Sequence, residues 1–472
     1  MHTMRTILVK KSALALLGVL ALAACGGTSA PDEAGAGDAT AADATQKAEP
    51  VEVGALTPRI TLAHDGGITT IDSADGAVLG SAELEGYTRL GPAGDGRHVV
   101  TAGAGGFRIY DTGLYAQAHG DHSHYFTVDP ALTGLQVEAS EPGHIVPHGA
   151  RTSLFADGTG EITTFDPAGL AEGTLGEVQT TASDAPHHGV AVPLEDGGML
   201  RTEGTADSRT TVLVEDAEGN EIARTDDCPG VHGEAAAQPT ESGDVVTLGC
   251  ENGPVVYRDG AFHKVAVDGD YQRSGNQKGS EASPVVLADN KVEAEPAGGT
   301  EHPTSIALID TRADTMRTVE LGSTYWFRSL DRGPAGEALV LTADGELNII
   351  DPDTGAIIHE VPVMGAWEEP EEWQTPGPML AVADGTAFVV DPATKKLSMV
   401  DVASGEIYRE LDLPVVPHEI QVTTGTASGE YDVAGEHAEG EGHDHEGHDH
   451  ASDAGGAEEH DHEGHDHEGH DH

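Results

Sequence analysis

The stretch LTADGELNIIDPDTGAI, Leu341–Ile357, decides the fold. A turn at Ala343-Asp344-Gly345 opens it. A short β-branched run follows and stops at Asp351, and a second turn ends in Gly355. An apolar run this short, bounded on both sides by turn residues, reads as one strand shared by two hairpins. The pattern recurs along the chain at ITTIDSADGAV, FRIYDTGLY, ITTFDPAGL, VLVEDAEGNEI, VVYRDGAF, ALIDTRADT and LSMVDVASGEI. The matching aspartates are Asp72, Asp111, Asp166, Asp216, Asp259, Asp310, Asp351 and Asp401, spaced 39 to 55 residues apart.

Several short strands per unit, at a period of forty to fifty residues, mark a β-propeller blade. A solenoid would show shorter and stricter repeats. No segment reads as a long amphipathic helix. The expected fold is all-β, a seven- or eight-bladed β-propeller over about residues 55–428. Ring closure is expected to pair the strand at Ile60-Thr61-Leu62 with the last blade, because closure protects the edge strands. The 62 glycines and 4 % aromatic content suit such a turn-rich protein.

Net charge is -58. Phosphate backbones are repelled by such a chain and cations attracted, which excludes nucleic acid as a partner. The N-terminus is expected to be a lipoprotein signal peptide over residues 1–24. Arg5, Lys10 and Lys11 precede the apolar run SALALLGVLALAA, too short to span a bilayer comfortably. It ends in Leu22-Ala23-Ala24-Cys25, a lipobox-like sequence that makes Cys25 the lipidation site. Residues 25–54 lack the apolar content for a core and read as a flexible acidic tether. The expected location is extracytoplasmic, lipid-anchored to the membrane of a bacterial envelope. Two further cysteines in an exported chain, Cys228 and Cys250, flank a hairpin expected at 231–237 and 244–249, and a disulfide between them is the expectation.

Histidine carries the chemistry. There are 26. VPHGARTSLF, PHHGVAVPL and PGVHGEAAA each place a His-Gly pair before a β run, at His148, His188 and His232. Their spacings of 40 and 44 residues are close to one blade. Equivalent positions in successive blades lie on a ring about the propeller axis, so three imidazoles converging there would hold Zn²⁺. His187 is the alternative to its neighbour His188, and His418 is a possible counterpart in the last blade. A second group, AHGDHSHYF, offers His119, Asp121, His122 and His124 in a connection before the blade of His148. Alternate residues of an extended segment point the same way, so His122 and His124 suit one ion. A flexible connection would also be able to fold over the channel mouth.

A third group is the tail, residues 429–472, read as a disordered His/Asp/Glu-rich metal-binding segment. Its four EGHDH copies supply His443, His445, His448, His450, His465, His467, His470 and His472, with His462 in a degenerate copy. Imidazole suits Zn²⁺, Ni²⁺ and Cu²⁺. Nothing in the tail fixes a geometry, so it reads as a gathering arm.

HGDHSHYF, PGHIVPHGARTSLFADGTG at Pro142–Gly160, PHHGVAVPL and CPGVHGEA together resemble the extracytoplasmic zinc metallochaperones that serve an ABC-type zinc importer. The resemblance implies a monomeric β-propeller that carries Zn²⁺ and hands it to the importer's solute-binding protein. The lipobox and the long C-terminal tail depart from that family's periplasmic pattern. Two competing classes are a surface propeller that binds a protein or glycan, with structural histidines, and a metal-dependent propeller hydrolase or lactonase. The second lacks a recognisable base or nucleophile motif, and HEXXH is absent. The chain is therefore read as a carrier, not an enzyme.

Overall fold

The computed structural model describes residues 49–427 except Asp121 and Gly298. The signal segment 1–24, Cys25, Asp121 and the tail histidines from His443 to His472 lie outside the described residues. The described chain is all-β. Eight sheets are four-stranded and antiparallel, and a ninth has three strands. Besides strands there is one short 3-10 helix, Pro167–Glu172.

The opening stretch shows how each unit forms. Glu346–Ile350 is the third strand of its sheet, paired with Ala338–Leu341 on one side and Ile357–Pro362 on the other. Leu347, Ile349 and Ile350 are buried. Asp351 then stops the strand. Its carboxylate accepts the backbone N–H of Asp353 at 3.0 Å and of Thr354 at 2.8 Å, so the turn is closed by the side chain. Asp401 and Asp391 repeat the device with Ser404 and Thr394.

Inner strands of neighbouring sheets contact one another round the ring, and the middle strands are buried on both faces. Apolar side chains from adjacent sheets share core clusters. Val146, Val192, Leu200, Val212, Val246 and Leu248, from three sheets, form one. The ring closes where Ile60, Thr61 and Leu62 pair with Val422, Gln421 and Ile420. One sheet is thus built from both ends of the described chain.

The inner strands run in the same direction. Gly91 lies against Ile145, and further along Gly94 lies against Pro147. All of them therefore begin at one end of the ring and finish at the other.

Two expectations change. Residues 51–53, placed in the tether, form the strand Val51–Val53, which pairs with His122–Thr127. Valine at alternate positions suits an added edge strand, so the ordered domain begins before residue 55. The connection at 119–124 is also no loose loop. Leu114–His119 and His122–Thr127 form a tight hairpin, inserted between the third and fourth strands of the sheet that contains Gly106–Asp111. Backbone pairing, Tyr115–Phe126 stacking at 5.3 Å and the Ala116 N–H bond to the Gly425 carbonyl at 2.9 Å hold it. It leaves the finishing end of the ring, because Gly106–Asp111 runs parallel to its inner strand Arg89–Pro92.

Candidate metal centre

Three inner-strand segments converge at the beginning end of the ring. Pro142–His148 brings His144, the segment before Ala191–Pro193 brings His188, and His232–Thr240 brings His232. Each of the three offers a ring nitrogen, and these atoms lie within 4.8 Å of one another.

Local backbone aims them. The register of Pro142–His148 shifts between Pro142 and Ile145, so His144 sits in a bulge. His232–Thr240 shifts between His232 and Glu234, with Gly233 at φ +77°. A bulge bends the strand and turns a side chain off the regular pleat. Any Cβ at Gly233 would stand 2.4 Å from the Gly275 carbonyl oxygen, so only glycine lets the chain pass there.

Each imidazole is oriented through Nδ1. His144 Nδ1 is 3.2 Å from Glu234 Oε1, His188 Nδ1 is 2.5 Å from Asp157 Oδ2, and His232 Nδ1 is 2.5 Å from the Gly275 carbonyl. Donation from Nδ1–H to an oxygen leaves Nε2 as the lone-pair nitrogen in all three rings. His144 Nε2 and His188 Nε2 are 3.4 Å apart. Two nitrogens at about 2.0–2.1 Å from one tetrahedral zinc stand about 3.3–3.4 Å apart, so the spacing suits a shared ion. Three neutral imidazoles, oriented by acceptors behind them, are a donor set that fits Zn²⁺.

Electrostatics differ across the three. Burial pushes the His232 pKa down to about 3, helped by its histidine neighbours. Burial also opposes charge on His144, but the Glu234 carboxylate outweighs it and the pKa is raised. His232 therefore stays neutral at any physiological pH, whereas His144 takes up a proton more readily than an ordinary imidazole.

The expected ligands are placed as follows. His188 and His232 are in the centre. His148 is not. It lies at the far end of the same strand, where Nε2 bonds Asp244 Oδ1 at 2.9 Å. Four residues of extended chain carry it away, and His144 takes its place. His187 faces the other way, buried, with Nδ1 on the Ala185 carbonyl and Nε2 on Thr202 Oγ1 at 3.0 Å. His418 is buried, stacks on Tyr87 at 4.5 Å and bonds the Thr88 carbonyl. The signal that finds His144 is the period itself. The three converging histidines, His144, His188 and His232, are spaced 44 and 44 residues apart, whereas the His-Gly pairs are spaced 40 and 44. Glu234 and Asp157, which orient the rings, lie within the quoted stretches CPGVHGEA and PGHIVPHGARTSLFADGTG, but nothing in the letters marks them as partners of His144 and His188.

His119, His122 and His124 also come together, each with a ring nitrogen within 4.8 Å of the others. His119 pairs with His122 across the hairpin, and His122 Nε2 is 3.2 Å from His124 Nε2. His124 Nδ1 meets Glu52 Oε1 at 2.7 Å, on the added edge strand. His119 and His122 are exposed. The group lies at the finishing end of the ring, so it does not fold over the inner-strand centre as a loose connection would.

The cysteine pair is joined. Cys228 and Cys250 form a disulfide with Cα atoms 4.8 Å apart. Cys250 follows Gly249, the cross-strand partner of His232. The bridge therefore braces the strand that carries His232.

No family model matches the chain. It is 28 % identical over 380 residues to the zinc chaperone AztD of Citrobacter koseri, across 79 % of this chain and 87 % of the relative. The crystal structure of Citrobacter koseri AztD superposes with a TM-score of 0.67 at 25 % identity, covering 79 % of this chain and 99 % of that one. The apo structure of the same protein gives 0.64 at 24 % identity, with the same coverage. The likeness drawn from the histidine motifs thus extends well beyond those motifs, over 380 residues.

Proposed function

We propose that the protein is a zinc-carrying metallochaperone, not an enzyme, that holds one Zn²⁺ at His144, His188 and His232 and passes it to the solute-binding protein of an ABC-type importer. The observation that carries this reading is the common orientation of the three rings. Every Nδ1 has an acceptor behind it, and every Nε2 is left for the same ion. A histidine kept for packing alone needs no such agreement. The similarity to the zinc chaperone AztD supports the choice of metal and of role.

Transfer proceeds by ligand exchange. The His188 side chain is 36 % exposed against 16 % for His144, so His188 is the first to be displaced by an incoming ligand. Glu234 and Asp157, beside the centre, each hold a ligand imidazole through one oxygen. The similarity to a zinc chaperone supports carriage over hydrolysis. The hairpin group and the tail at residues 429–472 serve as gathering sites. Lipidation at Cys25 anchors the chain on the outer side of a bacterial membrane, where it works as a monomer.

The test is a transfer assay. Protein loaded with one equivalent of zinc is mixed with zinc-free solute-binding protein in the presence of a chelator. Direct handover predicts a rate that rises with partner concentration and exceeds loss of zinc to the chelator. A rate equal to unassisted dissociation refutes the role.

A further inference from the structure

A tetrahedral zinc takes four ligands, and three imidazoles leave one position open. Among the described residues the donor group here is His144, His188 and His232 alone. Glu234 and Asp157 each accept from a ligand imidazole through one oxygen and stand outside that three-nitrogen group, although Asp157 Oδ1 is buried without a hydrogen-bond partner. That leaves the fourth position to a donor from outside the described chain, and the surroundings indicate its chemistry.

Two arginines stand beside the centre. Arg209, half-buried, donates from Nη1 to the His188 backbone carbonyl at 3.2 Å. Arg273 packs on Gly275, with Nε 2.9 Å from where a Cβ would stand, and the Gly275 carbonyl holds His232. Arg273 Nε is buried and has no hydrogen-bond partner. Burial lowers the pKa of Arg209, and the charge of Arg273 lowers it further, so the two guanidinium groups feel each other. Asp157 and Glu251 offset part of this charge. The chain has 24 lysines and arginines against 82 acidic residues. Two guanidinium groups beside a cation site therefore run against both the charge of the chain and that of its cargo. Their repulsion of the ion is relieved when an anion joins it.

We infer that the open position receives an anionic oxygen donor, a carboxylate, steered and held by Arg209 and Arg273. This rests on the zinc reading of the three-histidine centre. Guanidinium presents paired N–H groups that match a carboxylate, and a charge-assisted bond there is stronger than a neutral one. One carboxylate oxygen gives a lone pair to the ion and a water leaves, with no change of oxidation state. The same chemistry has two sources, a free carboxylate anion or an Asp or Glu side chain of the receiving protein. In the second case the arginines make the first bond of the exchange.

The probe is Co²⁺, one equivalent in the full chain, read by its visible absorption. The spectrum of His144→Ala is subtracted so that only the centre contributes. Acetate is one arm and a short blocked Gly-Asp-Gly peptide the other, with Gly-Asn-Gly and equal-strength chloride as controls. A saturable change with a carboxylate probe, absent in both controls, is the expected result. Arg209→Gln and Arg273→Gln should each weaken the midpoint about tenfold, the scale of one charge-assisted bond. Arg209→Lys should recover most of the loss. Equal midpoints for acetate and peptide identify free anions as sufficient, whereas a much tighter peptide identifies a side chain. A spectrum indifferent to both probes, or arginine variants with unchanged midpoints, overturns the inference. If wild type and His144→Ala give the same cobalt spectrum, it is the zinc centre itself that fails.

Discussion

The described residues hold two three-histidine groups, and they teach by their differences. The group at the inner strands is half-buried, set in backbone bulges and backed by an acceptor on every Nδ1. The group on the hairpin is largely exposed, and His124 leans on a carboxylate that is itself 60 % exposed. One set of three imidazoles is thus backed by acceptors within the fold, and the other is largely open to solvent. Pre-oriented donors lose little freedom on binding and favour one tight ion, whereas solvent-exposed ones suit uptake and release.

The largest way to break this comparison is to remove a fixed ligand. His144→Ala, His188→Ala or His232→Ala should lower the tightest zinc affinity about a thousandfold, beyond the roughly 10–100-fold typical of an outer partner. A hairpin variant lacking His119, His122 and His124 should lose stoichiometry but keep that affinity. Competition titration against a chelator of known strength reads both.

Next in size is the brace. Replacing Cys228 and Cys250 by alanine should cost about 3 kcal/mol of stability, read by thermal or denaturant unfolding. Because Cys250 adjoins the partner of His232, the variant should also weaken the centre and leave the hairpin group unchanged.

Glu234→Gln and Asp157→Asn should each lower affinity roughly 10–100-fold by loosening an imidazole. Glu234→Gln carries a pH signature as well. The wild-type His144 pKa is raised, so proton competition begins at a higher pH than for an ordinary imidazole, and zinc affinity falls as pH drops through it. Without the Glu234 charge that onset should move to lower pH. His232, at about 3, should contribute nothing to the profile above pH 5. Titrating zinc affinity from pH 8 to pH 5 decides this.

The smallest effect on metal is expected at His148. His148→Ala should leave zinc affinity within about twofold yet cost about 1–2 kcal/mol, because its ring bonds a nearly buried Asp244. The Asp244 pKa is depressed through that bond, against the opposing effect of burial. Its contribution to stability is therefore present above the unfolded carboxylate pKa and is lost as pH falls through the folded value. Urea unfolding at neutral and acid pH measures it.

The repeat was legible because each unit needs the same turn chemistry. Asp351 and Asp401 stop their strands by the same side-chain bonds, so the same letters recur. That histidines from successive units would converge was legible too, since imidazole-rich segments recur at blade spacing. The choice between His144 and His148 was not. Both lie on one strand, and the glycine after His148 gave the eye a false landmark. A bulge at Gly143-His144 decides which imidazole reaches the centre, and bulges leave only a weak sequence trace. The orienting carboxylates were invisible for a different reason. Glu234 lies 90 residues from His144 in sequence, and an acidic residue in so acidic a chain is unremarkable until the fold brings it close. The extra strand Val51–Val53 was hidden in the same way, as three residues at the edge of a polar segment.

The central claim is that a tight zinc site is set at His144, His188 and His232 by the fold. The most direct test compares His144→Ala with His148→Ala in the full chain, by zinc competition titration under identical conditions. The account predicts that His144→Ala weakens the tightest binding step about a thousandfold and that His148→Ala retains it. Retention in His144→Ala, or loss in His148→Ala without unfolding, would contradict it.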